Sequence, residues 1–134
     1  MTWSVEREPT QGWVVMHFDG ALTRQDCARA TRRAVEMMNP GVPQAFFVDV
    51  SAAHCTLGAG DIYAIPAMWS HAAVHRGSAL AMLVDPALSD RRDTEFFENT
   101  CRNRGWNVRV FADRADASDW LSGQVSAGDA AVSA

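Results

Sequence analysis

Residues 51 to 61 read SAAHCTLGAGD. Ser51, Cys55 and Thr56 offer nucleophiles or phosphate acceptors, His54 a base and Asp61 a carboxylate. A cysteine and a histidine do thiolate chemistry when the imidazole reaches the sulfur. Neighbours in a chain seldom point at each other, and working Cys–His pairs come from distant segments. Gly58 and Gly60 let the backbone turn tightly before a helix. The stretch is therefore read as a strand-to-helix turn. Ser51, His54, Cys55, Thr56 and Asp61 form a candidate regulatory or partner-binding surface, and no catalytic residue is assigned.

Other spacings carry weaker chemistry. His71 and His75 are four apart, a spacing that lets two imidazoles on a helix meet one metal ion. A zinc protease would follow the first histidine with glutamate, but Ala72 stands there. A solvent-facing pair is expected and no metal site. GAGDIY, residues 58 to 63, holds two glycines of a dinucleotide fingerprint, with Tyr63 where the third belongs. No acid follows at the distance that would hold a ribose, so no cofactor is expected. Asp49, Asp85 and Asp113 each close an apolar run. If the runs are parallel strands, these carboxylates share the edge where ligands sit in open sheets. An enzyme using Asp49, Asp85 and His54 is the reading that this edge would support. Helix capping is the simpler role for Asp113. Arg29, Arg32 and Arg33 make a short basic stripe, read as a solvated face.

The elements that must position these groups follow from periodicity. TWSVERE alternates, with Trp3, Val5 and Arg7 on one face of a strand. PTQG turns the chain, and WVVMHF completes a hairpin. Thr23 caps a helix over residues 24 to about 38, with Asp26 three residues on. Its apolar stripe is Cys27, Ala30 or Thr31, Ala34 and Met38. AFFVDV is a short interior strand. DIYAIPAMWSHAAVHRG is a helix with a flaw at Pro66, which starts near Ile65 or kinks there, and Gly77 ends it. SALAMLVD is a strand, residues 89 to 104 a helix stopped by Gly105, and WNVRVFAD the last strand. RADASDWLSG is a short closing helix, and the tail over 123–134 is expected to be disordered. A hairpin strand followed by four β-α units predicts an α/β domain over 2–122 with a mostly parallel sheet.

Composition bounds the function. The 134 residues fit one core, and 48% hydrophobic with 21% charged is ordinary for a globular protein. A net charge of −4 argues against nucleic acid as a partner. All 12 basic residues are arginine, which removes Schiff-base, phosphate-loop and general-base lysines. Three scattered cysteines fit a reducing compartment, and no segment has the length of a transmembrane helix, so the expected location is cytoplasmic. Five tryptophans are many for a small domain to hide, which points to a ligand or partner surface.

The chain resembles the STAS domain, and within it the SpoIIAA-like branch. GALT (Gly20 to Thr23), FFVDVS (Phe46 to Ser51) and VRVFADRADASDWL (Val108 to Leu121) carry the likeness. The resemblance implies a β-α superhelix that acts by binding a protein partner. It also implies a phosphorylatable serine where the second core strand meets its helix. Here that stretch is HCTLG, with His54 in place of the acid, Cys55 in place of the acceptor and Thr56 as the nearest hydroxyl. For the SpoIIAA-like branch the resemblance implies small apolar ligands or membrane association. The leading expectation is a non-catalytic, regulatory contact with a protein or a second copy. The alternative is a carrier or sensor of an apolar, lipid-like small molecule, with a pocket lined by Met68, Trp69, Phe96 and Phe97 between the second and third helices.

Overall fold

The computed structural model describes residues 2–39 and 41–124. The alternating N-terminal stretch forms β1 (Thr2–Arg7), and Trp3, Val5 and Arg7 are its half-buried residues. A turn leads into β2 (Val14–Leu22), which pairs antiparallel with β1. Then follow α1 (Arg24–Met37), β3 (Ala45–Cys55), α2 (Ala59–His71), β4 (Ala79–Leu83), α3 (Arg91–Asn103), β5 (Asn107–Phe111) and α4 (Arg114–Ser122). The sheet order is β1-β2-β3-β4-β5, and every pair after the first is parallel. The expected α/β architecture, a hairpin strand and four β-α units in a mostly parallel sheet, is what the chain adopts. Gly123 and Gln124 follow α4, and the remainder of the expected tail lies outside the described residues.

Sequential order puts α1, α2 and α3 on one face of the sheet, because parallel crossovers share one hand. Ala30, Ala34, Ile62, Phe97 and Cys101 from these helices pack with Phe18, Phe46, Val48, Leu80 and Val108. On the opposite face α4 lays Ala117 and Leu121 over Trp13, Phe47, Ala81 and Leu83. Caps fix the helix starts. Thr23 Oγ1 accepts from the Asp26 amide at 3.2 Å and donates to its carboxylate at 2.7 Å. Asp113 accepts from the Asp116 amide at 3.0 Å, so the third strand-end carboxylate is a cap. Gly105 turns the chain after α3 at φ 86°, which glycine adopts without strain.

Three boundaries depart from the sequence expectation. β3 runs on to Cys55, so Ser51, His54 and Cys55 lie in a strand and the turn is only Thr56 to Gly58. α2 starts at Ala59 and carries Pro66 in its interior, which leaves the Ile62 carbonyl without its usual donor. α2 also ends early, with Ala73 in the left-handed region at φ 57°. His75 therefore lies outside the helix that holds His71, and its Nδ1 accepts from the Gly77 amide at 2.9 Å. The two histidines do not form an i,i+4 pair on one helix.

Candidate functional site

α2 packs on α1 and α3, and none of its Cα atoms comes within 8 Å of a strand Cα, so it meets the sheet's core through side chains alone, Ile62, Ile65 and Trp69. The space beneath it is a cavity of about 140 Å³. Its walls are apolar, with Phe18, Phe46, Val48 and Leu80 from the strands and Trp69 and Phe97 from the helices. The polar lining is sparse, with Thr31 contributed by the middle of α1. Ser89, Asp90, Asp93 and Thr94, at the start of α3, border one end, and Ser78 and Asn107 border the other. Trp69 meets Phe97 and Trp106 edge to face, with ring centres 6.2 and 5.5 Å apart. Such contacts hold the rings in fixed orientations.

Of the four aromatic and thioether residues expected to line a pocket between α2 and α3, Trp69 and Phe97 do so. Met68 and Phe96 do not. Met68 lies with His71 and Arg32 in a shallow groove between α1 and α2, and Phe96 is 37% exposed. Adjacent helical residues diverge by about 100°, and here Met68 and Phe96 fall on the side of their helices turned away from the cavity that Trp69 and Phe97 line.

The 51–61 stretch borders this cavity through a defect in strand pairing. His17 pairs with Asp49 but Asp19 with Ala52, so β3 holds one extra residue between them. A bulge re-aims the side chains that follow. Val48 and Val50 face the helices before it, and Ala53, Cys55 and Leu57 line the cavity after it. His54 and Cys55 remain consecutive strand residues, pointing to opposite sides. Burial pushes the Cys55 thiol up; a hydrogen bond from the Leu57 backbone opposes this, and Asp93 and Asp61 add to it. Burial, helped by Cys55, Asp26 and Asp61, pushes Cys27 to about 12. These thiols are protonated near neutrality, the opposite of an activated nucleophile. The Thr56 hydroxyl donates to the Leu22 carbonyl at 2.6 Å, and Asp61 meets Arg24 at 3.6 Å.

Asp49 and Ser51 lie on the other face of the sheet. Asp49 is buried, and its carboxylate is fully engaged. Oδ1 accepts from the Ser51 amide at 3.0 Å and the Ser51 hydroxyl at 2.6 Å, while Oδ2 accepts from Arg114 at 2.6 Å. His17 Nδ1 is 3.4 Å from Oδ2. Burial alone would raise the Asp49 pKa, but the Ser51 bonds and the Arg114 guanidinium outweigh it and hold the carboxyl below its ordinary range. The Ser51 hydroxyl donates to the Asp49 carboxylate and not to the His17 imidazole, so the three do not stand in the serine–histidine–aspartate order of an acyl-transfer triad. Asp85 holds the Ala87 amide at 2.9 Å in the turn after β4. The strand-end carboxylates thus tie backbone and helices. Among the described residues, no group of three or more His, Cys, Asp or Glu side chains could hold a metal ion.

No family model matches the sequence, and no curated protein matches it significantly. A solved structure does match. It is an uncharacterized protein of the DUF3478 family from Shewanella loihica PV-4, described as having a SpoIIAA-like fold. The superposition has a TM-score of 0.59 and covers 90% of this chain and 92% of that one, at 17% identity. The fold is SpoIIAA-like. The resemblance carried by GALT, FFVDVS and VRVFADRADASDWL is borne out at that level.

Within this SpoIIAA-like frame, the sequence reading missed three residues that define the two faces. His17 and Arg114 are the partners of Asp49, and Trp106 closes one end of the cavity. A signal existed for Trp106, an aromatic directly after the glycine that ends α3. None existed for Arg114, which meets Asp49 across 65 residues of chain. No helix of the described chain is long and apolar enough to cross a membrane.

Proposed function

We propose that this chain is a non-catalytic binding domain that holds a small apolar molecule between the sheet and α2. The observation that carries the reading is the 140 Å³ cavity with apolar walls beneath a helix whose backbone is held more than 8 Å from the strand Cα atoms. A dry apolar cavity of about 150 Å³ takes benzene. The fitting ligand is therefore a single ring or a short alkyl chain, smaller than a long-chain lipid. The protonated thiols and the engaged Asp49 and Ser51 support a role without bond-making.

Titration calorimetry with ethylbenzene tests this. Saturable one-to-one binding is expected. At a ligand concentration of 100 Kd it should raise the unfolding free energy by about 2.7 kcal/mol. Val48→Phe fills the space from a buried position in β3 and should abolish the heat while leaving the circular dichroism spectrum unchanged. Absence of binding to the native protein would refute the reading.

A second reading, a regulatory protein contact, is favoured by one observation. Tyr63 on α2 is 56% exposed and Phe96 on α3 is 37% exposed, two large apolar side chains on adjacent helices. The Arg104 guanidinium lies 4.0 Å from the centre of the Tyr63 ring. Such rings favour burial against a partner. Light scattering over a hundredfold concentration range checks self-association by this surface. A constant monomer mass would remove a second copy as the partner.

A further inference from the structure

The two edges of the sheet are not alike. Successive strand residues send their backbone N–H and C=O groups to alternate sides. In β5 the Phe111 carbonyl accepts from the Val84 amide, so Phe111 faces β4 and Val108 and Val110 face outward. Side chains of α3 close that outer side. Glu98 accepts from the Val110 amide at 2.7 Å, and Arg102 Nε donates to the Val108 carbonyl at 3.0 Å. Backbone groups engaged in this way keep another chain from pairing with the edge.

β1 is the opposite edge. The Glu8 amide donates to the Trp13 carbonyl at 2.8 Å, which in the continuous register turns Thr2, Ser4 and Glu6 toward β2. Trp3, Val5 and Arg7 therefore direct their N–H and C=O groups away from the sheet, and no group among the described residues bonds to them. α4 packs only on β3, β4 and β5, so no helix covers the face that bears the exposed Ser4 and Glu6. The edge is also complementary to itself. Under a two-fold axis through Val5 and normal to the sheet, Val5 faces Val5, and Trp3 faces Arg7 of the second copy. Each of these is a hydrogen-bonded pair that exchanges two backbone bonds. An aromatic ring then stands opposite a cation, and on the other face Glu6 stands opposite Ser4. No like charges oppose, and TWSVER holds one acid and one base, so two copies of the strand carry no net repulsion. We propose that β1 is a homodimer edge, where two copies pair antiparallel through Trp3, Val5 and Arg7 and join their five-stranded sheets into one. This surface is separate from the cavity and from Tyr63 and Phe96, which lie on α2 and α3, helices that do not touch β1.

Sedimentation velocity over a hundredfold concentration range reads the association, and a concentration-dependent dimer is expected. Val5→Pro removes both central donors and costs the single chain no hydrogen bond, because an outward N–H on an edge strand is where proline is tolerated. Its dimer should be roughly five- to 150-fold weaker, the range for two neutral hydrogen bonds. Ser4→Glu and Ser4→Lys alter only an exposed side chain, so they decide the question should Val5→Pro fail to fold. Each sets its new charge against Glu6 twice per dimer. The first should weaken the dimer and the second tighten it, each by roughly two- to thirtyfold. A constant monomer mass would overturn the proposal. So would a dimer that a folded Val5→Pro leaves intact, which would place the contact on another surface, or shifts of the same sign in the two Ser4 variants. Binding of ethylbenzene in the cavity is unaffected by any of these outcomes.

Discussion

Replacing Asp49 by asparagine removes one charge from beneath Arg114 while keeping the side chain's shape. Asparagine can still accept from the Ser51 amide and hydroxyl through its carbonyl oxygen. It loses the charge-assisted bond from Arg114 and presents an NH₂ where Oδ2 stood. A hydrogen bond to a charged group contributes about 1.5–3 kcal/mol. The Arg114 side chain is 62% exposed, so water replaces part of what it loses. A cost of about 2 kcal/mol at pH 7 follows. With a urea slope of about 1.5 kcal/mol/M, the unfolding midpoint falls by roughly 1.3 M. The pH dependence gives the sharper readout. Asp49 has a folded pKa below its unfolded value near 3.9. Its contribution is complete above that unfolded value and is lost as pH falls through the lowered folded one. The native chain should therefore lose more stability than Asp49→Asn between pH 5 and pH 2. Urea titrations at intervals across this range measure the difference. Equal midpoints at pH 7, or parallel losses on acidification, would refute the account of Asp49 as a stabilising, ionised group.

Two further perturbations address other parts of the chain. Thr23→Ala removes the cap of α1 and should cost about 1 kcal/mol, read as a lower urea midpoint with an unchanged slope. Iodoacetamide at pH 8 should alkylate Cys55 first, because it is exposed; Cys27 should follow slowly, and Cys101 should react only when the chain unfolds, since burial pushes its thiol to about 12. Peptide mass spectrometry over a time course orders the three, and early labelling of Cys101 would contradict its burial.

Local signals made the frame legible. Alternation in TWSVERE, the Thr23 and Asp113 caps and the continuous apolar run before Asp49 each follow from short-range rules, and each stands in the structure. The extra residue in β3 did not announce itself, because Ser51, Ala52 and Ala53 carry no alternation that would mark a slip. That slip turns Cys55 toward the cavity and moves the turn to Thr56. The early end of α2 was hidden by Ala72 and Ala73, good helix formers that the chain nevertheless uses to turn. Met68 and Phe96 were misplaced because each stands one residue from a lining aromatic. The Asp49 cluster was unreadable, since its members come from β2, β3 and α4 and only the topology joins them.

The way α2 is mounted bears on how anything gets in. Its backbone is braced sideways by its helical neighbours, and it reaches the strands only through side chains such as Ile62. Pro66 has already taken one rung out of its ladder. A shift of this single rod would change the chamber's width without breaking a backbone hydrogen bond of the sheet, because those bonds run only from strand to strand.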